Sequence, residues 1–183
     1  LTALVAAGVS TARSARAGGA VMSIDPPSQN VATGAASFTV SVKLSGAANV
    51  GAWEFVIAYD TARLELADVV EGPFLKSEGQ PTNCVRSGDT AYLVKVAKTA
   101  LEIDTASVVQ YGCNIFATVD TFTGPSGEGI VATVTFKPKQ VGVGNLVFLK
   151  RELADSKVVA LDVTSTDGVA QIGGTGAALQ PTP

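Results

Sequence analysis

Gly51-Ala52-Trp53-Glu54-Phe55-Val56-Ile57-Ala58-Tyr59-Asp60 carries a large apolar residue at every second position from Trp53 to Tyr59. Side chains alternate across a strand, so this period of two predicts a β-strand with Trp53, Phe55, Ile57 and Tyr59 in a core. Glu54, Val56 and Ala58 fall on the opposite face. Asp60-Thr61 closes the strand in a turn, because an aspartate side chain bonds backbone groups just ahead of it. Leu64 and Leu66 then restart the alternation. The stretch therefore predicts a core strand, an Asp-led turn and an antiparallel partner.

The same period recurs on both sides. Phe38, Val40, Val42 and Leu44 alternate with Thr39, Ser41 and Lys43, and Ile130, Ala132, Val134 and Phe136 form a second such set. Residues 21–24 predict a short first strand stopped by Pro26-Pro27. Gly72-Pro73 breaks the chain, and Phe74-Leu75 beside it is expected to tuck back against the core. Residues 91–96 read as a strand with Tyr92, Val94 and Val96 on one side, followed by a helical turn or loop over 97–106. Residues 108–119 predict one long strand or two. Residues 146–149, 158–163 and 168–172 supply the closing strands. About nine short strands with turn signals between them predict an all-β chain folded as a two-sheet antiparallel sandwich.

Composition agrees. The 183 residues suffice for one domain, and 46% hydrophobic against 16% charged content allows a real core. The net charge is -3, and the 13 Lys and Arg are scattered, so nothing points to nucleic acid. Histidine is absent. That excludes Ser-His-Asp, Cys-His and His-zinc chemistry. The carboxylates Glu54, Glu65, Asp68, Glu71 and Glu128 show no spacing that singles out a glycosidase pair, and no Asp-x-Asp-x-Asp-Gly run offers a calcium loop. We therefore expect no catalytic residue, no metal and no cofactor.

Three pieces of the chain resemble cohesin domains, the bacterial scaffold modules that hold dockerin-bearing partners. They are the 51–60 strand followed by Leu64-Glu65, the run Gly127-Glu128-Gly129-Ile130-Val131-Ala132-Thr133-Val134-Thr135-Phe136, and Asp167-Gly168-Val169-Ala170-Gln171-Ile172. The resemblance spans residues 22–172. It implies a jelly-roll order of nine strands and a dockerin-type partner gripped by the outward face of the 51–60 strand. There the family commonly sets a polar residue and an acid two positions apart. Ala52 lacks the polar group and Glu54 keeps the acid, so Glu54, Val56 and Ala58 are the candidate partner-binding residues. Against the family pattern the chain also carries an insertion of roughly 20 residues over about 87–107.

Cys84 and Cys113 flank that insertion. An even count in an exported chain predicts a disulfide clamping its base, and two buried thiols are the alternative. Residues 1–20 read as the remnant of a secretory signal peptide or a disordered terminus, 21–173 as the sandwich, and 174–183 as a Gly/Thr/Pro linker. No stretch is long and apolar enough to span a membrane, and the expected location is secreted or cell-surface. A carbohydrate-binding module is the second reading, with polysaccharide as partner. Trp53 is expected in the core, so such a module would stack sugars on Tyr92, Tyr111 and Phe122. A structural repeat of a surface or filament protein is the third.

Overall fold

β4 (Val50–Asp60) buries Trp53, Phe55, Ile57 and Tyr59 on one face, as its period requires. The computed structural model describes residues 19–86, 91–117 and 121–173. The expected signal-peptide remnant and C-terminal linker lie outside the described residues, apart from Gly19 and Ala20. Around β4 the chain runs β1 (Ala20–Asp25), β2 (Ser28–Val31), β3 (Phe38–Ala47), then β5 (Leu64–Glu71), β6 (Thr82–Arg86), α1 (Ala91–Leu101), β7 (Ala106–Ile115), β8 (Gly127–Pro138), β9 (Gly142–Asp155), β10 (Val163–Thr166) and β11 (Gly168–Ile172).

Two sheets form the sandwich. One has five strands in the order β10-β1-β3-β8-β5, the other six in the order β2-β11-β9-β4-β7-β6. Pairing is antiparallel except at the margin. There β1 lies parallel to β10 and β2 parallel to β11, and the Val169 N–H donates to the Pro27 carbonyl between the two pairs. The sheets meet through alternating residues of both inner faces. Val40, Val42, Leu44, Val134 and Phe136 come from one sheet; Phe55, Ile57, Val109, Leu146 and Phe148 come from the other. Tyr59 packs edge-on against Phe136 at 5.3 Å between ring centres, which ties the two sheets together near the turn at Asp60. The Asp60 carboxylate accepts from the Ala62 N–H at 2.8 Å, as expected of an Asp-led turn.

Several details depart from the sequence reading. A bulge opposite Val42–Lys43 puts both Val131 and Ala132 inside and leaves Ile130 half-buried, because an extra residue shifts the alternation by one. Residues 158–162 do not form a strand. Asp155 holds them in a turn by accepting from the N–H groups of Lys157 and Val159, and Val158 stands 87% exposed. Residues 91–96 are not a strand either; they begin α1. Leu93, Val94, Ala97 and Leu101 share one helical face, a spacing of 3.6 rather than 2. Phe74 and Leu75 do return to the core.

Candidate functional site

The outward face of β4 is divided into two halves by α1. Register places Ala52, Glu54, Val56 and Ala58 in line, with β7 on one side and β9 on the other. On the half nearer Asp60, Val56 and Ala58 are fully buried. They join Ala97, Ala106 and Val108 in a second apolar cluster, onto which Leu93, Val94, Leu101, Val147 and Leu149 pack. The expectation that Val56 and Ala58 are solvent-facing is therefore corrected. Alternation assigned them correctly to the face away from the main core, but the amphipathic helix carried by the insertion covers that face. An apolar strand face left in water is costly, and α1 removes it from water within the same chain.

Glu54 lies on the uncovered half, with its side chain 31% exposed. Its Oε1 accepts from Gln110 Nε2 on β7 at 2.8 Å and from Lys150 Nζ on β9 at 3.1 Å. Lys150 also reaches Glu152 Oε2 at 3.1 Å. A polar ladder thus crosses β7, β4 and β9 just beyond the helix. Burial disfavours the charged Lys150, but the hydrogen bonds and charges of Glu54 and Glu152 outweigh it and raise its pKa. No hydrogen bond among the described residues reaches Glu54 Oε2. This oxygen is a ready acceptor for an incoming donor. Gly112 makes the arrangement possible: a Cβ there would lie 3.2 Å from the Glu54 Cβ and Cγ.

Beside the ladder is a shallow concavity of about 300 Å³, whose lining includes Ala52, Gly112, Ala154, Asn114 and Val85. Three interstrand spacings separate β6 from β9, so the open strip is about 14 Å across. Asn114 pairs directly with Ala52 and is exposed. Position 52 itself lacks a polar group, and the amide on the neighbouring strand was not foreseen; only the register reveals it.

Cys84 and Cys113 stand opposite each other on β6 and β7 and are joined in a disulfide. The bridge ties the edge strand to the sheet and closes the loop that contains α1. Glu71 lies next to it, with its oxygen within 4.8 Å of both sulfurs. Its Oε2 accepts from Lys76 Nζ at 2.7 Å and from Thr82 Oγ1 at 2.9 Å. With the sulfurs bonded to one another, no thiolate is offered to a metal here. Tyr111 packs nearby; burial, then the Glu71 charge, raises its pKa.

The aromatic platform that a carbohydrate-binding module would need is not assembled. Trp53 is 3% exposed and stacks on Phe55, Tyr111 is buried beside both, and Phe122 packs against the core. Of the aromatic residues named for that role, Tyr92 alone is well exposed. Of the other carboxylates, Glu65 pairs with Lys137 and Glu128 with Lys43, on the opposite sheet.

Comparison with known proteins follows the same lines. The family model of the cohesin domain matches residues 22–172. Among solved structures, the chain is similar to a non-cellulosomal cohesin from the hyperthermophilic archaeon Archaeoglobus fulgidus, at 17% identity and a TM-score of 0.60, covering 85% of this chain and 91% of that one. It is also similar to the seventh ScaB type I cohesin from Pseudobacteroides cellulosolvens, at 16% identity and 0.60, covering 90% and 99%. A third is the sixth cohesin of Acetivibrio cellulolyticus scaffoldin B, solved in complex with a Cel5 dockerin, at 19% and 0.59, covering 85% and 99%. At these identities the likeness is one of fold. No curated protein matches in sequence.

Proposed function

This chain belongs to the cohesin domain family, and from that premise we propose that it is a non-catalytic module that holds a dockerin-type partner on the open half of its β6-β7-β4-β9 face. The observation that carries this reading is Glu54, whose Oε2 accepts no hydrogen bond from any described residue and which lies on the part of the β4 face that α1 does not join. Asn114, opposite Ala52, supplies the amide that position 52 lacks. Val56 and Ala58 contribute from below, by seating α1 and so fixing where the strip ends. The disulfide supports an extracytoplasmic location, since such bonds persist in oxidising compartments. We place the parent protein at the cell surface or in a secreted, polysaccharide-degrading assembly. No helix among the described residues is long and apolar enough to cross a membrane.

The experiment is calorimetric titration of the domain with a panel of dockerin modules. At least one should bind saturably, one to one. Glu54→Ala should weaken that binding and reduce its salt dependence, because a charged donor on the partner loses its acceptor. If no dockerin binds the parent domain with a Kd below about 1 mM, the proposal fails.

A further inference from the structure

The open strip does not end at β9. Asn83, Asn114, Ala52 and Ala154 face one another across β6, β7, β4 and β9. Ala160 continues the row, because the chain beyond β9 folds back and sets it opposite Ala154. Leu161 packs on the main core, so Ala160, one residue earlier, takes the outward side with Ala154. Four interstrand spacings make this row about 19 Å long. At its far end lies a second concavity of about 360 Å³, whose lining includes Val158, Ala160 and Leu161. Glu152, Leu153 and Ala154 line both concavities, so the end of β9 is their common wall.

The hairpin that carries Val158 works against its own stability. The Val158 N–H donates to the Asp155 carbonyl at 3.0 Å and the Asp155 N–H to the Val159 carbonyl at 2.9 Å, which closes a tight turn. Val158 takes a φ of 62° there. Tight hairpins give that left-handed position to glycine, since a branched Cβ crowds the backbone. Among the described residues three non-glycines have positive φ, Asn49, Glu102 and Val158, and Val158 alone is β-branched. Its side chain contributes little to the fold in exchange: it is 87% exposed, and Val159 beside it is 57% exposed. Charges of both signs surround the pair, Arg151 and Lys157 against Glu152, Asp155 and Asp162. What distinguishes the hairpin is therefore apolar surface held forward on a strained backbone.

We infer that the 155–160 hairpin is the outer rim of the docking surface, with Val158 as its apolar contact, and that the dockerin-type partner sets an aliphatic or aromatic side chain into the second concavity against it. The inference rests on the dockerin reading given above. The occupant follows from continuity: a partner seated over Ala52 and Glu54 that extends across β9 meets Ala154, Ala160 and Val158 next. The strain held at Val158 is then matched by a contact that the domain makes only with its partner.

The test titrates a dockerin module from the same panel against the parent domain, Glu54→Gln, Val158→Gly, Val158→Asn, Val158→Ile and Val143→Ala, with a thermal melt and sedimentation velocity on each. Val143 is 50% exposed at the far end of β9 and serves as the surface control. Glycine and asparagine accept the left-handed conformation, so Val158→Gly and Val158→Asn should melt at or above the parent temperature. Both should nevertheless lose about tenfold in affinity, the worth of a buried valine side chain. Val158→Ile should retain the affinity, and Val143→Ala should change nothing. If Glu54→Gln weakens binding while Val158→Gly and Val158→Asn bind as the parent does, the role of the hairpin is overturned and the dockerin reading stands. A Val158→Gly domain that melts well below the parent would assign the side chain to the fold and overturn it equally. A parent domain that dimerises, and loses the dimer in Val158→Gly, would give the hairpin to a second copy instead. If the parent binds no dockerin, both readings fall together.

Discussion

Val56→Asp puts a carboxylate where the protein leaves no room for water. Read from periodicity alone, position 56 is a surface site, and the change is worth less than about 1 kcal/mol. Under α1 the outcome is different, because Val56 is fully buried among Ala58, Ala97, Val108 and Leu93. An aspartate there stays charged and unpaired, or it takes up a proton. A carboxyl raised by about three pKa units costs about 4 kcal/mol at neutral pH, since each unit is worth 1.36 kcal/mol. The domain can escape part of this by releasing α1, so we expect a loss of about 3–5 kcal/mol. For a domain of this size that lowers Tm by about 6–20 °C. The sign with pH follows from the raised pKa. The deficit relative to the parent should be smallest below about pH 3, where aspartate is neutral in both states, should grow as pH rises past the unfolded value of about 3.9, and should level off above the elevated folded value. Val56→Asn should show no such pH dependence. Circular dichroism melts at several pH values supply the measurement, with amide exchange across α1 to locate the damage. A Val56→Asp domain that melts within about 2 °C of the parent at pH 7 would refute the claim that α1 seals this half of the sheet.

Reducing the Cys84–Cys113 bridge releases a loop of 29 residues and should cost about 3.5 kcal/mol, read as a lower denaturant midpoint for the reduced protein; unchanged midpoints would show that the bridge does not restrain the unfolded chain. At alkaline pH, Lys150 and Tyr111 both hold their protons more tightly in the folded state. Their contribution is therefore complete below about pH 10 and lost as pH rises through the folded values. Lys150→Met should flatten the fall in denaturant midpoint over that range, and an identical fall in parent and variant would assign it elsewhere.

Most of the sandwich was legible because its core strands obey a strict period of two. The runs at 38–44 and 53–59 took the faces that alternation assigned them. Where a bulge or a turn interrupts that period, as at Val131 and at Val158, the reading slipped, since neither leaves a mark in the spacing of apolar residues. Residues 91–96 misled for a related reason. Tyr92, Val94 and Val96 satisfy a period of two and favour strands, while the helical set Leu93, Val94, Ala97 and Leu101 extends past that window. The site was half legible. Periodicity says which face a residue takes, but not what covers the face. Glu54 was found by its place beside the core strand. The burial of Val56 and Ala58 depends on a helix arriving from some 35 residues further along. Asn114 becomes visible only when β7 is laid against β4.

The parallel pairs β1–β10 and β2–β11 run along one margin of the domain in a single ribbon. Because the paired stretches point the same way, residues 19 and 173 lie at opposite ends of it. A pull between those two positions loads the ribbon in shear, so that its hydrogen bonds resist together instead of peeling one after another. How long it holds under tension is then set by the barrier to breaking several bonds at once. These are among the shortest strands in the molecule, yet a pull of that kind would fall on them first. In the six-stranded sheet two strands separate β11 from β7, with β4 reached across β9, and β1 and β10 belong to the other sheet, so tension between residues 19 and 173 and a partner gripping Glu54 act on different parts of the domain.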